Sequence, residues 1–226
     1  MDQPVKRDTR KQTMPAEMDE KDQDVESRVQ KAIADKTALV ELLAGILATQ
    51  EEIRYPSFKA LLRISEEHPE LLYPHWEYFA GLLESTKTYL KYQAIYLIAS
   101  LTRVDAEHKF ERLFESYFAL LEDKSIIPAA HAARNAGKIA RAKPGLQTRI
   151  TDRLLRIDET EHEADRKDLL KSYVIEAFSE FFEVAEDQEM ILAWVRKQVA
   201  SASPKTRKQA KEFLTKWEPK GTPGGS

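Results

Sequence analysis

The chain contains no cysteine. That absence excludes disulfide staples, a thiolate nucleophile and any Cys-ligated metal centre, and it is compatible with a reducing compartment. Glycine is sparse, at 7 of 226 residues, and no Gly-rich loop of the kind that cradles phosphates is present. The longest apolar run, 38–48, is interrupted by Glu41 and falls far short of the roughly 20 residues a membrane helix needs. No apolar stretch follows the first charged residues, so no secretory leader is expected and the default address is cytoplasmic. Charge of neither sign dominates: Lys+Arg 35 against Asp+Glu 38 gives a net charge of -3, and no whole-chain field draws in nucleic acid or an anionic membrane. Histidines at 68, 75, 108, 131 and 162 include no pair at the i, i+4 spacing of a helical zinc site. The run Glu159, Glu161, His162, Glu163, Asp165 lacks the spacing and turn glycine of an EF-hand. No nucleophile–base constellation stands out, so no enzyme activity, cofactor or metal is expected.

What is present is helical periodicity. Residues 1–23 carry a basic cluster (Lys6, Arg7, Arg10, Lys11) and then an acidic one (Glu17, Asp19, Glu20, Asp22), with too little apolar surface to offset ordering, and are expected to form a disordered tail. Residues 218–226 end in Pro, Gly and Ser and are expected to be a flexible tail. Between them, 24–217 read as one all-α domain. Val25, Val29 and Ile33 open it at helical spacing, and Thr37–Gln50 is apolar on a broad face.

A twelve-residue frame then recurs five times, as Ile53–Ile64, Leu90–Leu101, Pro128–Ile139, Leu170–Phe181 and Thr206–Trp217. An apolar residue usually opens it, a cation usually stands second, a small or β-branched residue fifth, and apolar residues ninth and twelfth. The second positions are Arg54, Lys91, Ala129, Lys171 and Arg207, spaced 37 (91−54), 38 (129−91), 42 (171−129) and 36 (207−171). A period of this size is the signature of stacked helical hairpins. The partner helices are expected at Thr37–Gln50, Pro74–Ser85, Lys109–Glu122, Thr148–Ile157 and Gln188–Ala200. Pro56, Pro128 and Pro204 are placed in opening turns, where a missing N–H costs nothing, and Pro69 and Pro144 just past helix ends. Ser203 is a candidate N-cap, as is Asp165 or Asp168 for the fourth frame. The extra residues of the fourth repeat predict a longer loop at 158–163. Gly45, Gly81 and Gly137 fall inside helices, where close packing is their expected role, and Trp76, Trp194 and Trp217 fall on core positions.

These frames resemble HEAT repeats of the short bacterial and archaeal kind, whose second helix reads apolar–Arg, then Ala three residues on, then Leu. Here the pattern stands as Ile53-Arg54…Ser57…Leu61…Ile64, Leu90-Lys91…Ala94…Ile98…Leu101, Leu170-Lys171…Val174…Phe178…Phe181 and Thr206-Arg207…Ala210…Leu214…Trp217. Ala136-Gly137-Lys138-Ile139 resembles the family's closing motif, while Pro128-Ala129 departs from its apolar–cation pair. The resemblance covers about residues 37–217 and implies a right-handed α-α superhelix of about five hairpins, with a structural ladder in which Arg54, Lys91, Lys171 and Arg207 bond acids in neighbouring turns. Glu51, Glu84, Asp123 and Asp168 are the available acids.

In HEAT arrays the second helices line the concave surface. Frame positions three, seven and eleven share one face by helical spacing: Tyr55, Lys59 and Arg63; Tyr92, Tyr96 and Ser100; Ala130, Arg134 and Lys138; Ser172, Glu176 and Glu180; Lys208, Glu212 and Lys216. Tyrosine and arginine are favoured at binding hot spots, and Tyr55, Lys59, Arg63, Tyr92, Tyr96, Arg134 and Lys138 are the candidate partner-binding residues. Charge is also banded, with seven Lys/Arg against one acid over 128–156 and three against twelve over 157–189. The leading expectation is a non-enzymatic scaffold that binds an unidentified protein. The alternative is a DNA-binding or DNA-alkylation-repair protein, since glycosylases with DNA-alkylation repeats are solenoids of similar length. Against the alternative, the chain is net acidic and no tryptophan lies on the concave columns.

Overall fold

The structure is a computed structural model that describes residues 20–218. Most of the tail expected at 1–23, and residues 219–226 of the one expected at 218–226, lie outside the described residues. The first helix begins at Glu20, ahead of the boundary expected at residue 24, and Glu218 pairs with Arg196 at 2.7 Å.

All regular structure among the described residues is helical: α1 (Glu20–Ala34), α2 (Lys36–Gly45), α3 (Glu51–Glu67), α4 (Pro69–Leu72), α5 (Trp76–Leu82), α6 (Thr88–Leu101), α7 (Lys109–Phe118), α8 (Ile126–Ala142), α9 (Gln147–Leu155), α10 (Ala164–Phe181), α11 (Gln188–Gln198) and α12 (Pro204–Trp217). Single 3₁₀ turns at Ala119–Glu122 and Arg156–Glu159 extend α7 and α9 to about the ends expected. The five frames lie in α3, α6, α8, α10 and α12. The helices start earlier than the frames, so Pro56 falls inside α3 rather than in its opening turn, while Pro128 and Pro204 do open theirs. Pro69 and Pro144 stand just beyond α3 and α8, where their rings cannot continue the helix.

Capping is local where the chain supplies it. Asp35 accepts a bond from Thr37 N–H at 2.8 Å to start α2, and Ser203 accepts one from Thr206 N–H at 3.3 Å to start α12. The cap expected from Asp165 or Asp168 is not made. Residues 164–169 contain no helix breaker, so α10 runs back to Ala164 and takes both aspartates inside it. The 3₁₀ turn at Arg156–Glu159 takes the first two residues of the loop expected at 158–163, which leaves 160–163 between the helices.

Five of the long helices lie side by side in chain order: α3 beside α6, α6 beside α8, α8 beside α10, and α10 beside α12. The shorter α2, α5 and α11 pack on α3, α6 and α12, and α1 covers α2 and α3. One apolar core runs through the whole set from Val29 to Phe213, with Trp76, Phe79, Phe110, Tyr117 and Phe178 fully buried. Each such side chain contributes about 1.5–3 kcal/mol by leaving water. Trp194 and Trp217 are partly buried against the same core.

α8 packs tightly on α10. A Cβ on Gly137 would meet the backbone oxygen of Ala177 and stand 2.8 Å from its Cα. At Gly45 a Cβ would strike the Ser57 hydroxyl, whereas at Gly81 nothing lies within 4 Å, so close packing explains two of the three helical glycines. The side of α8 turned to its neighbours is built of Ala129, Ala132, Ala133 and Ala136, all fully buried. These small residues let α6 and α10 press on it from both sides.

Candidate partner-binding face

The side chains at frame positions three, seven and eleven divide into two groups. Tyr55 is 55% exposed, Lys59 and Arg63 are half-buried, and Arg134 is exposed. Ser100, Ala130 and Ser172, placed on the open face by the frame, are buried instead. At the third frame position of α8 and α10 the neighbouring His131 and Tyr173 are partly exposed in place of Ala130 and Ser172, while Arg134, Lys138, Glu176 and Glu180 keep the places the frame gives them.

The result is an aromatic chain across the layer. Phe58 of α3 meets Tyr92 and Tyr96 of α6 at ring-centroid distances of 5.6 and 6.4 Å. Those tyrosines meet His131 of α8 at 4.8 and 5.5 Å, and His131 meets Tyr173 of α10 at 6.0 Å. Lys205 of α12 sits 3.5 Å from the Tyr173 centroid, a cation–π contact that closes the chain. The Tyr96 hydroxyl and His131 Nδ1 share a hydrogen bond of 2.9 Å. Burial first, and then the neighbouring Tyr96, pushes Tyr92 up to about 12. Burial, with Arg134 and Lys205 adding to it and Glu176 opposing, lowers His131, so its neutral form predominates at pH 7. His131, Tyr173 and Lys205 were not picked out by the frame; the small residues at positions 130 and 172 are the signal that marks the shift.

Ion pairs flank the aromatic chain and cross between helices. Glu176 of α10 lies between Arg134 of α8 (3.1 Å) and Lys205 of α12 (3.0 Å). Arg63 reaches Glu26 of α1 at 2.9 Å as well as Glu67, and Lys138 reaches Glu66 of α3 at 3.3 Å. Lys208 and Glu212 are exposed, and they pair with each other at 3.8 Å.

The ladder expected of Arg54, Lys91, Lys171 and Arg207 forms only in part. Lys91 pairs with Asp123 in the turn before α8, and Lys171 pairs with Asp158 at 2.7 Å and Asp168 at 3.1 Å. Arg54 and Arg207 instead donate to carbonyls just past the ends of the preceding helices, Ala48 and Thr49 for one and Ser201 and Ala202 for the other. Those carbonyls lie in the turns that follow α2 and α11, outside the helices, and are free to accept the guanidinium. Arg54 also stacks 4.2 Å from the Tyr89 ring of α6.

The basic band over 128–156 is largely neutralised. Beyond Arg134 and Lys138, Lys143 pairs with Asp105 and Glu111, Arg149 and Arg153 with Glu115, and Arg156 with Asp152 and Glu159. His162 Nε2 bonds the Leu121 carbonyl at 2.7 Å, which ties the acidic loop to the preceding repeat.

One buried polar cluster has no counterpart among the residues singled out by the repeat. The Asp105 carboxylate, wholly shielded from solvent, accepts from Tyr73 Oη (2.7 Å), Lys109 N (2.9 Å) and Phe110 N (3.0 Å), and pairs with Lys143 Nζ at 2.8 Å. Burial alone would raise the Asp105 pKa, but these donors hold it at about 2, while burial and the bond to Asp105 push Tyr73 up to about 12. At neutral pH one group stays charged and the other protonated, so the cluster moves no proton. It joins α8 to the turn that starts α7, next to His108, whose φ of 55° is the one positive value among non-glycine residues described.

No family model matches the chain, and no curated protein matches it. A solved structure of an engineered protein is similar at 15% identity over 88% of this chain and 92% of that one, with a TM-score of 0.44. At that level it bears on neither family nor function.

Proposed function

We propose that the chain is a right-handed α-α superhelix of the HEAT-like kind, without enzyme activity, whose long-helix face binds a protein partner. The observation that carries this reading is the aromatic chain from Phe58 to Tyr173, with the 55% exposed Tyr55 three residues before Phe58 on α3 and Lys205 at the other end. Rigid aromatic groups with cations beside them give much contact area for little lost freedom. The side-by-side order of α3, α6, α8, α10 and α12, with near-constant repeat spacing, supports the superhelical course. The cytoplasmic address expected from the sequence belongs to the same proposal; no helix among the described residues is long and apolar enough to cross a membrane.

The pairing of Arg149, Arg153 and Arg156 with acids favours a protein partner over nucleic acid, because a duplex backbone needs unpaired cations along its path. The test is capture from cell extract on immobilised protein, with the bound species identified by mass spectrometry. Tyr55→Ala with Arg134→Ala should lose a protein that wild type retains, at unchanged helical content. Equal recovery by the variant contradicts the reading.

A further inference from the structure

A cleft of about 380 Å³ opens where the C-terminal ends of α3, α6, α8 and α10 converge. Arg103, Lys138 and Arg141 line it together with Glu66, Ser100 and Glu180.

The two guanidinium groups are positioned rather than neutralised. Arg103 donates through Nη2 to the carbonyls of Ser65 and Glu66 at the end of α3, and Arg141 through Nη1 to the Glu180 carbonyl (3.2 Å) near the end of α10. Neither guanidinium has a carboxylate within ion-pair distance among the described residues, and each keeps its other N–H groups unspent. These bonds offset the negative ends of the two helices and fix the forks in place. Lys138, paired with Glu66 at 3.3 Å, adds a third cation.

We infer that this cleft binds a phosphoryl group, either as a free phosphate or on a phosphorylated side chain. A tetrahedral oxyanion presents oxygens in several directions and so meets two guanidinium forks and an ammonium together; a planar carboxylate fills one fork. The side-chain balance of three cations against two carboxylates, a net of +1, suits one such group and repels a polyanionic backbone. The inference does not depend on the partner-binding reading, since it needs only the cleft.

The test is a ¹⁵N–¹H titration of the full chain with inorganic phosphate, against chloride at matched ionic strength, and with a phosphoserine peptide beside its unphosphorylated form. Phosphate is expected to bind in the millimolar range and to shift resonances at 99–103 and 138–142. Arg141→Gln is expected to weaken binding about tenfold, the loss of one bond to a charged group, at unchanged helical content. Glu180→Gln should tighten binding severalfold by removing a like charge. A peptide that binds more tightly than phosphate assigns the group to a protein, and one that binds no better assigns it to free phosphate. Absence of shifts at these positions, or equal affinity in wild type and Arg141→Gln, overturns the inference.

Discussion

Replacing Asp105 by asparagine keeps the side-chain shape and removes the charge from the most enclosed ion pair in the molecule. The carboxylate is 0% exposed and its Lys143 partner 9%, and four donors converge on the two oxygens. A pKa lowered from 3.8 to about 2 corresponds to about 2 kcal/mol of folding stability. Because the folded-state value is depressed, this stability is fully present above the unfolded value near pH 4 and is lost as pH falls through about 2. Asp105→Asn is therefore expected to be about 2 kcal/mol less stable than wild type at pH 7, with the gap closing between pH 4 and pH 2. Asp105→Ala, which leaves Tyr73 and two N–H groups without their acceptor and Lys143 with only Glu111 and the carbonyl of residue 105, is expected to cost about 3–5 kcal/mol. Urea unfolding followed by tryptophan fluorescence measures both; Trp76, 6.0 Å from the Tyr73 ring, reports on the cluster directly. Equal stability of wild type and Asp105→Asn at pH 7, or a gap that stays constant down to pH 2, would refute the reasoning.

Gly137→Ala is expected to force α8 away from the Ala177 backbone and to lower stability by about 1–3 kcal/mol in the same assay. Gly81→Ala, with open space around the new methyl, is expected to raise it by about 0.5–1 kcal/mol through better helix propensity. Tyr96→Phe removes the bond to His131 and is expected to cost about 1 kcal/mol by chemical denaturation.

The long helices were legible because their frames place apolar residues where neighbours must cover them, and no tertiary information is needed to see that. Their starting points were less so: nothing in 164–169 breaks a helix, and nothing in the frame says where α10 begins. On the candidate face, Tyr55, Lys59 and Arg134 stand where periodicity puts them. His131 and Tyr173 stand partly exposed where Ala130 and Ser172 are buried, since α8 and α10 each have a long helix on both sides and a single-helix wheel does not contain both neighbours. The Asp105 cluster was out of reach, since Tyr73 and Lys143 lie 32 and 38 residues away and only the stacking of repeats brings them together.

The most direct measurement places a photo-crosslinking phenylalanine analogue in cells at position 55 of the candidate face, three residues before Phe58 on α3, and separately at position 40 on α2, where Val40 is 58% exposed off that face. A defined protein adduct from position 55 and none from position 40 is the expected result. Identical adducts from both positions, or none from position 55, would contradict a partner-binding face on the long helices.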